Sequence, residues 1–266
     1  MAQIASRNLT IGKGQVFAAR HATAEPTAPA QGYRDFGNAP AFSIAVNSET
    51  ISHYSSRGGV RVKDDETIIE INRTGTLQID DMDPKNLAIY FLGEELSVTA
   101  SSATGTTNTF TNVEKGRSYQ LGVVLPGAPS GARNVTVTAV ATVTGSTALV
   151  LGTDYEVDAE RGFVTLLPGG SVVTTGNAAA GVTVTFNVAA STRSQIIAGG
   201  TEFVGSLQFH AYNPKGARLD YFFPLVKLRP SGDLALISEE YMSASFEFEA
   251  LALGSLAPLY INGIAS

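Results

Sequence analysis

Apolar and polar residues alternate with a period of two through several stretches of this chain, and that period predicts β-strands. Phe42, Ile44 and Val46 alternate with Ser43, Ala45 and Asn47. Between Glu66 and Ile79 the alternation returns. Ile69, Ile71 and Leu77 share one face, while Glu66, Glu70, Asn72, Thr74 and Gln78 share the other, with Ile68 out of phase. At about 3.3 Å per residue this run exceeds about 40 Å, longer than an ordinary strand. It therefore predicts a bend, a bulge near Gly75, or one arm of a long hairpin. Further on, Phe203–Tyr212, Leu219–Leu228, Leu234–Ser238 and Ser243–Leu253 read as strands, with a turn at Pro230–Asp233. The alternation is cleanest where Ala244, Phe246, Phe248 and Ala250 face one way and Ser243, Ser245, Glu247 and Glu249 the other.

One short helix interrupts the strands. Asp83 suits an N-cap, Pro84 the first helical position and Gly93 the C-terminal stop. Leu87, Tyr90 and Phe91, at i, i+3 and i+4, give it one apolar face. Residues 20–40 read as a loop punctuated by Pro26, Pro29, Gly32, Gly37 and Pro40, long enough to act as an arm ordered by contacts. Near residue 104 the composition turns to Thr, Val, Gly and Ala. Short strands are predicted at 134–144, 154–158, 162–167 and 182–188. The expected organisation is a mainly β chain: one β domain from residues 1–104 and 191–266, and a small β-sandwich-like module inserted at 105–190.

Composition narrows the function. The chain has 266 residues, 44% of them apolar and 16% charged, which suits a folded protein that buries surface against neighbours. A formal net charge of −6, with Lys and Arg scattered singly, gives no basic stripe for phosphate. There is no cysteine, so disulfides and thiolate metal sites are excluded. Met1–Thr10 lacks the apolar core of a secretory signal, and no apolar run is long enough for a membrane-spanning helix; the expectation is a soluble product made in a cytoplasm.

Catalytic and cofactor patterns do not emerge. His21, His53 and His210 lack a second ligand at metal spacing. Asp154, Glu156 and Asp158 share a strand face but lack the Gly-bearing loop of a calcium site. Gly12-Lys13-Gly14 lacks the spacing of a phosphate loop, and no nucleophile elbow occurs. Glu239 and Glu240 point to opposite sides if extended, as turn residues do. The expectation is no cofactor, no metal and no enzyme activity. The acidic residues matter differently. Glu70, Glu247 and Glu249, with Gln208 on the same argument, lie on polar faces of strands whose other faces are apolar. If copies joined edge to edge into a closed barrel, these four would line its channel, and carboxylates there would repel phosphate.

Three stretches carry a resemblance. They are residues 36–93, which include Glu49 and His53 four apart, then LVLGTDYEVDAERGFVTLLPGG at 149–170, and residues 206–253. Together they resemble the major tail tube proteins of long-tailed bacteriophages, and they cover most of the chain without any catalytic signature. The resemblance implies stacked hexameric rings forming a hollow virion tail tube, assembled in the host cytoplasm, with a large inner β-barrel built from strands of every subunit. It implies that the long hairpin and the N-terminal arm reach the neighbouring ring. Its implied partners are further copies of the chain, the tape measure protein, and tail tip and tail terminator proteins, with double-stranded DNA passing through unbound and no membrane partner. A tube protein of a bacterial injection device and a surface-binding β-sandwich protein are the other readings open at this point.

Overall fold

The computed structural model describes residues 9–23, 26–125, 127–171 and 181–263. It is 55% strand and 3% helix, so the chain is mainly β. In chain order the first elements are β1 (Gly14–Arg20), β2 (Arg34–Asp35), β3 (Ala41–Ser55), β4 (Val62–Ile79), α1 (Pro84–Tyr90) and β5 (Glu94–Ala100). Then follow β6 (Ala103–Thr111), β7 (Ser118–Gln120), β8 (Val135–Thr142), β9 (Tyr155–Asp158), β10 (Phe163–Leu166) and β11 (Gly181–Val188). The last are β12 (Ser191–Ile197), β13 (Phe203–Ala211), β14 (Leu219–Ser231), β15 (Ala244–Leu251) and β16 (Tyr260–Gly263). The chain divides into two compact units, residues 1–96 with 195–266, and residues 97–194.

The first unit is built on an antiparallel sheet ordered β2-β1-β13-β14-β15-β4-β3, with β16 added alongside β14. Among the described residues no sheet closes into a barrel. The alternation of β15 explains the core. Ala244, Phe246, Phe248 and Ala250 are buried against Leu77, Ile79, Phe223, Val226 and Leu228, while Ser245, Glu247 and Glu249 are not. Phe248, Phe42 and Phe223 form a ring cluster, with Phe42 stacked on Phe248 at 5.5 Å and Phe223 edge-on at 5.4 Å. Gly75 stays a glycine because a Cβ there would strike the Phe248 ring and the Ser43 carbonyl. It marks no bulge: the register shifts of the β3–β4 pair lie at Glu49/Thr50 and His53/Tyr54.

Helix α1 begins as the sequence predicts, with the Asp83 side chain accepting from the Asn86 amide at 2.6 Å. It ends differently. The left-handed residue is Leu92, with φ of 50°, and the Gly93 amide reaches back to the Ala88 carbonyl at 2.8 Å. Gly93 is needed for another reason: a Cβ would collide with the Ile197 carbonyl. The packed face agrees in part: Tyr90 packs edge-on to Phe246 at 6.0 Å, but Asn86 and Ala88 are the buried residues and Phe91 is exposed. Asn86 holds the preceding loop in place. Its amide donates to the carbonyls of Phe36 at 3.0 Å and Asp81 at 2.7 Å, and its oxygen accepts from Arg34 at 2.7 Å.

The second unit packs two three-stranded sheets, β7-β10-β9 and β6-β11-β8, over a core that includes Val113, Leu121, Val164, Leu166, Val184 and Phe186. Asp154 is buried at its edge and accepts from the amide and hydroxyl of Ser171, both at 2.7 Å, and from the Val150 amide at 2.8 Å. The Ser171 amide first, then Val150 and the Ser171 hydroxyl, hold its carboxyl below the usual aspartate range.

Replacing Asn86 by alanine leaves the buried Phe36 carbonyl, the part-buried Asp81 carbonyl and the Arg34 guanidinium each one partner short. The expected loss is about 2–4 kcal/mol in denaturant unfolding, since each unmade buried hydrogen bond costs about 1–3 kcal/mol. An N86A variant as stable as the parent would show that the Asn86 bonds are replaceable.

Candidate functional site

The core of the first unit ends before its strands do. Strand β15 pairs with β4 only from Ala244↔Ile79 to Glu249↔Thr74. Past Thr74, β4 continues to Val62 with only β3 beside it, about 40 Å at about 3.3 Å per residue. The result is a two-stranded ribbon, whose residues 62–71 are exposed on both faces. The apolar stripe that begins as Phe42, Ile44 and Leu77 in the core runs out along it as Val46, Ile71, Ile69 and Ile68. Ile69 and Ile71, expected to share a packed face with Leu77, are 56% and 49% exposed, because nothing among the described residues covers that length. The bulge at Ile69 accounts for Ile68 being out of phase.

The polar face of the same sheet gathers the predicted channel residues. Glu249 pairs across from Lys227 on one side and Thr74 on the other; Glu247 pairs across from Arg229 and Thr76. Register and pleat put Glu70 on this face, farther out on the ribbon, beside Asn72, whose amide donates to it at 2.7 Å. Gln208 is on this face too, opposite Phe222 and Phe17, and its oxygen lies 3.0 Å from His210. The face is not simply acidic. Glu202 pairs with Lys227 at 3.4 Å and Arg229 at 3.1 Å, and Ser231 donates to Glu247 at 2.9 Å. Burial pushes the Glu202 carboxyl up, but the bonds from Arg229 and Lys227 outweigh it and hold it below the usual range. Glu70 differs from the other two glutamates: the residue directly opposite it is Glu49.

The remaining candidates scatter. His53 meets Asp64 at 2.5 Å, and the His210 ring lies tilted against that of Phe17 at 4.8 Å. Nε2 of His21 is buried without a hydrogen bond. Asp154 is tied to Ser171, Asp158 to Arg161 at 3.1 Å, and Glu156 is exposed, so the three do not converge. Gly14 belongs to β1 and packs on the Phe209 ring, and the Lys13 amide donates to Asn213. Among the described residues no group of three or more His, Cys, Asp or Glu is placed to hold a metal, and no helix is long and apolar enough to cross a membrane.

The segment Leu234–Ser238 is not a strand. It lies in a loop from Gly232 to Ser243, where Leu234 touches the core but Leu236, Ile237 and Tyr241 stand in solvent. The apolar residues were readable; the missing partner strand was not. Strand β1, which supplies Val16 and Ala18 to the core, carries too little alternation to be found in the sequence.

A family model described as "Protein of unknown function UCP028589" matches residues 9–255, so the chain belongs to that family. No curated protein matches it.

The two charge environments predict opposite responses. Glu70→Lys removes a like-charge pair with Glu49 and should raise the melting temperature by about 1–3 °C, while Glu247→Lys opposes Arg229 and should lower it by a similar amount. Thermal unfolding at low salt measures both; shifts of the same sign would refute the assignment of partners.

Proposed function

We propose that this member of the family is a structural protein that works by assembling with copies of itself, as stacked hexameric rings of a bacteriophage tail tube. The observation that carries this reading is the ribbon at 46–71. An isolated two-stranded hairpin is marginal in water, and this one exposes Val46, Ile51, Ile68, Ile69 and Ile71 besides. Such a surface suits a protein whose finished state includes other copies. The sheet has open edges at β2 and β3, and β3 offers a long row of unpaired backbone groups. Joining edges between copies would remove them and make the closed inner barrel that one chain does not have.

In that barrel the polar face, with Glu70, Gln208, Glu247 and Glu249, lines the channel. Lys227 and Arg229 are held by Glu202 and stand across from Glu249 and Glu247, so carboxylates outnumber and engage the cations on this face. DNA would then pass without being gripped. Tape measure, tail tip and tail terminator proteins are the partners this role requires. The chain has no catalytic part in it. The two-sheet unit at 97–194 gives a surface-binding role its one support, since small sandwiches often serve that purpose.

Electron microscopy of the purified protein over a range of concentrations, with and without tail-tip components, tests the reading. Hollow tubes of stacked rings are expected. Monomers or closed dimers under every condition would contradict it.

A further inference from the structure

Two surfaces of the first unit leave apolar side chains in water, and they sit at opposite ends of the same strands. The loop from Gly232 to Ser243 enters β15 at Ala244, which pairs with Ile79 at the last residue of β4. The hairpin tip, Ser55–Val62, closes the other end of β4. Some 60 Å of strand separates them at about 3.3 Å per residue.

Their chemistry is complementary. In the loop, Ile237 and Tyr241 are each 97% exposed, with Leu236 beside them. Between Gly232 and Ser243 the charges are Asp233, Glu239 and Glu240, with no Lys or Arg, and Asp80 flanks the same depression. At the tip, Val60 and Val62 are exposed, and the turn carries Arg57 and Arg61 and no acid. Arg61 lies over the Tyr54 ring at 4.6 Å, which stiffens it. Of the acids that follow, Glu66 pairs with Lys63 at 2.8 Å and Asp64 with His53 at 2.5 Å, while Asp65 accepts from the Glu66 amide at 2.8 Å. Within the chain, neither surface can reach the other.

We propose that the Gly232–Ser243 loop of one copy is the seat for the hairpin tip of a second copy. This rests on the self-assembly reading and gives it a specific contact. Val60 and Val62 cover Ile237 and Tyr241, and Arg57 and Arg61 meet Glu239 and Glu240. The two patches are different surfaces, so the contact is heterologous: it does not close a dimer but repeats head to tail along the strand direction. It also accounts for Leu234–Ser238, a segment with the apolar content of a strand and no partner strand among the described residues. Opposite charge at the two ends favours this pairing over tip to tip or loop to loop, and makes it salt-sensitive.

Charge reversal tests the contact. Arg57→Glu with Arg61→Glu, or Glu239→Arg with Glu240→Arg, should each raise the concentration needed for assembly about tenfold or more, read by light scattering. All four sites are exposed, so each variant should stay folded, with only a small fall in melting temperature where Arg61 leaves the Tyr54 ring. Mixing the two variants, or combining all four changes in one chain, should restore assembly. Because the chain has no cysteine, the pair Val60→Cys and Ile237→Cys in one chain should give a ladder of disulfide-linked multimers on mild oxidation. Parent protein that assembles, alongside reversed variants that assemble equally well or a double-cysteine chain that gives no ladder, would overturn this contact and leave the tube reading standing. Covalent dimers from Val60→Cys alone would point to a closed tip-to-tip pairing and overturn it as well. A parent chain that never assembles would remove both.

Discussion

Burial against the phenylalanine cluster of Phe42, Phe223, Phe246 and Phe248 is the interaction on which the rest of the first unit depends, and it has a sharp end. Where β15 stops at Leu251, no described residue gives β4 further apolar cover, yet β3 and β4 continue as a pair. The same alternation that packs Leu77 and Ile79 at one end of β4 exposes Ile69 and Ile71 at the other. Hydrophobic burial contributes roughly 25 cal/mol per Å² of apolar surface, so a ribbon without it is held chiefly by its own ladder. In the proposed assembly a neighbouring copy would supply what is missing. On this view the long hairpin is an unfinished layer of a core that a neighbouring copy completes.

The electrostatics follow from the same register. Pairing β14 with β15 sets Lys227 across from Glu249 and Arg229 across from Glu247, and the neighbouring Glu202 takes both cations. Exposed pairs of this kind contribute little to stability singly. Their consequence is for the surface: the cations are engaged, and the face presents more carboxylate than ammonium. Farther out, Glu49 and Glu70 face one another with no cation between them in the register, so the ribbon is also electrostatically incomplete.

Much of this was legible in the sequence, and the failures are instructive. The alternation at 244–250 assigned the buried and solvated sides of β15 residue by residue, because a strand between two neighbours has one side for core and one for water. The N-cap at Asp83 was equally readable. Ile69 and Ile71 misled because periodicity says which residues share a face, not whether anything covers it. Leu234–Ser238 failed for the same reason. Leu92 took the left-handed position beside an available glycine, since Gly93 was required by the approach of Ile197. Asn86 had no signal in the sequence: a polar residue in a short helix gives no hint that three partners converge on it. The polar face was partly legible, as Glu70, Glu247 and Glu249 do share a side, but the cations opposite Glu247 and Glu249 depended on strand order.

The central claim is that residues 46–71 reach their stable state only against another copy. Amide hydrogen exchange resolves this directly, comparing dilute protein with assembled material. The account predicts fast exchange across 46–55 and 62–71 at dilution and strong protection on assembly, with β13, β14 and β15 slow in both. A ribbon that exchanges equally fast in the assembled material, or is already as protected as β15 in the dilute monomer, would contradict it.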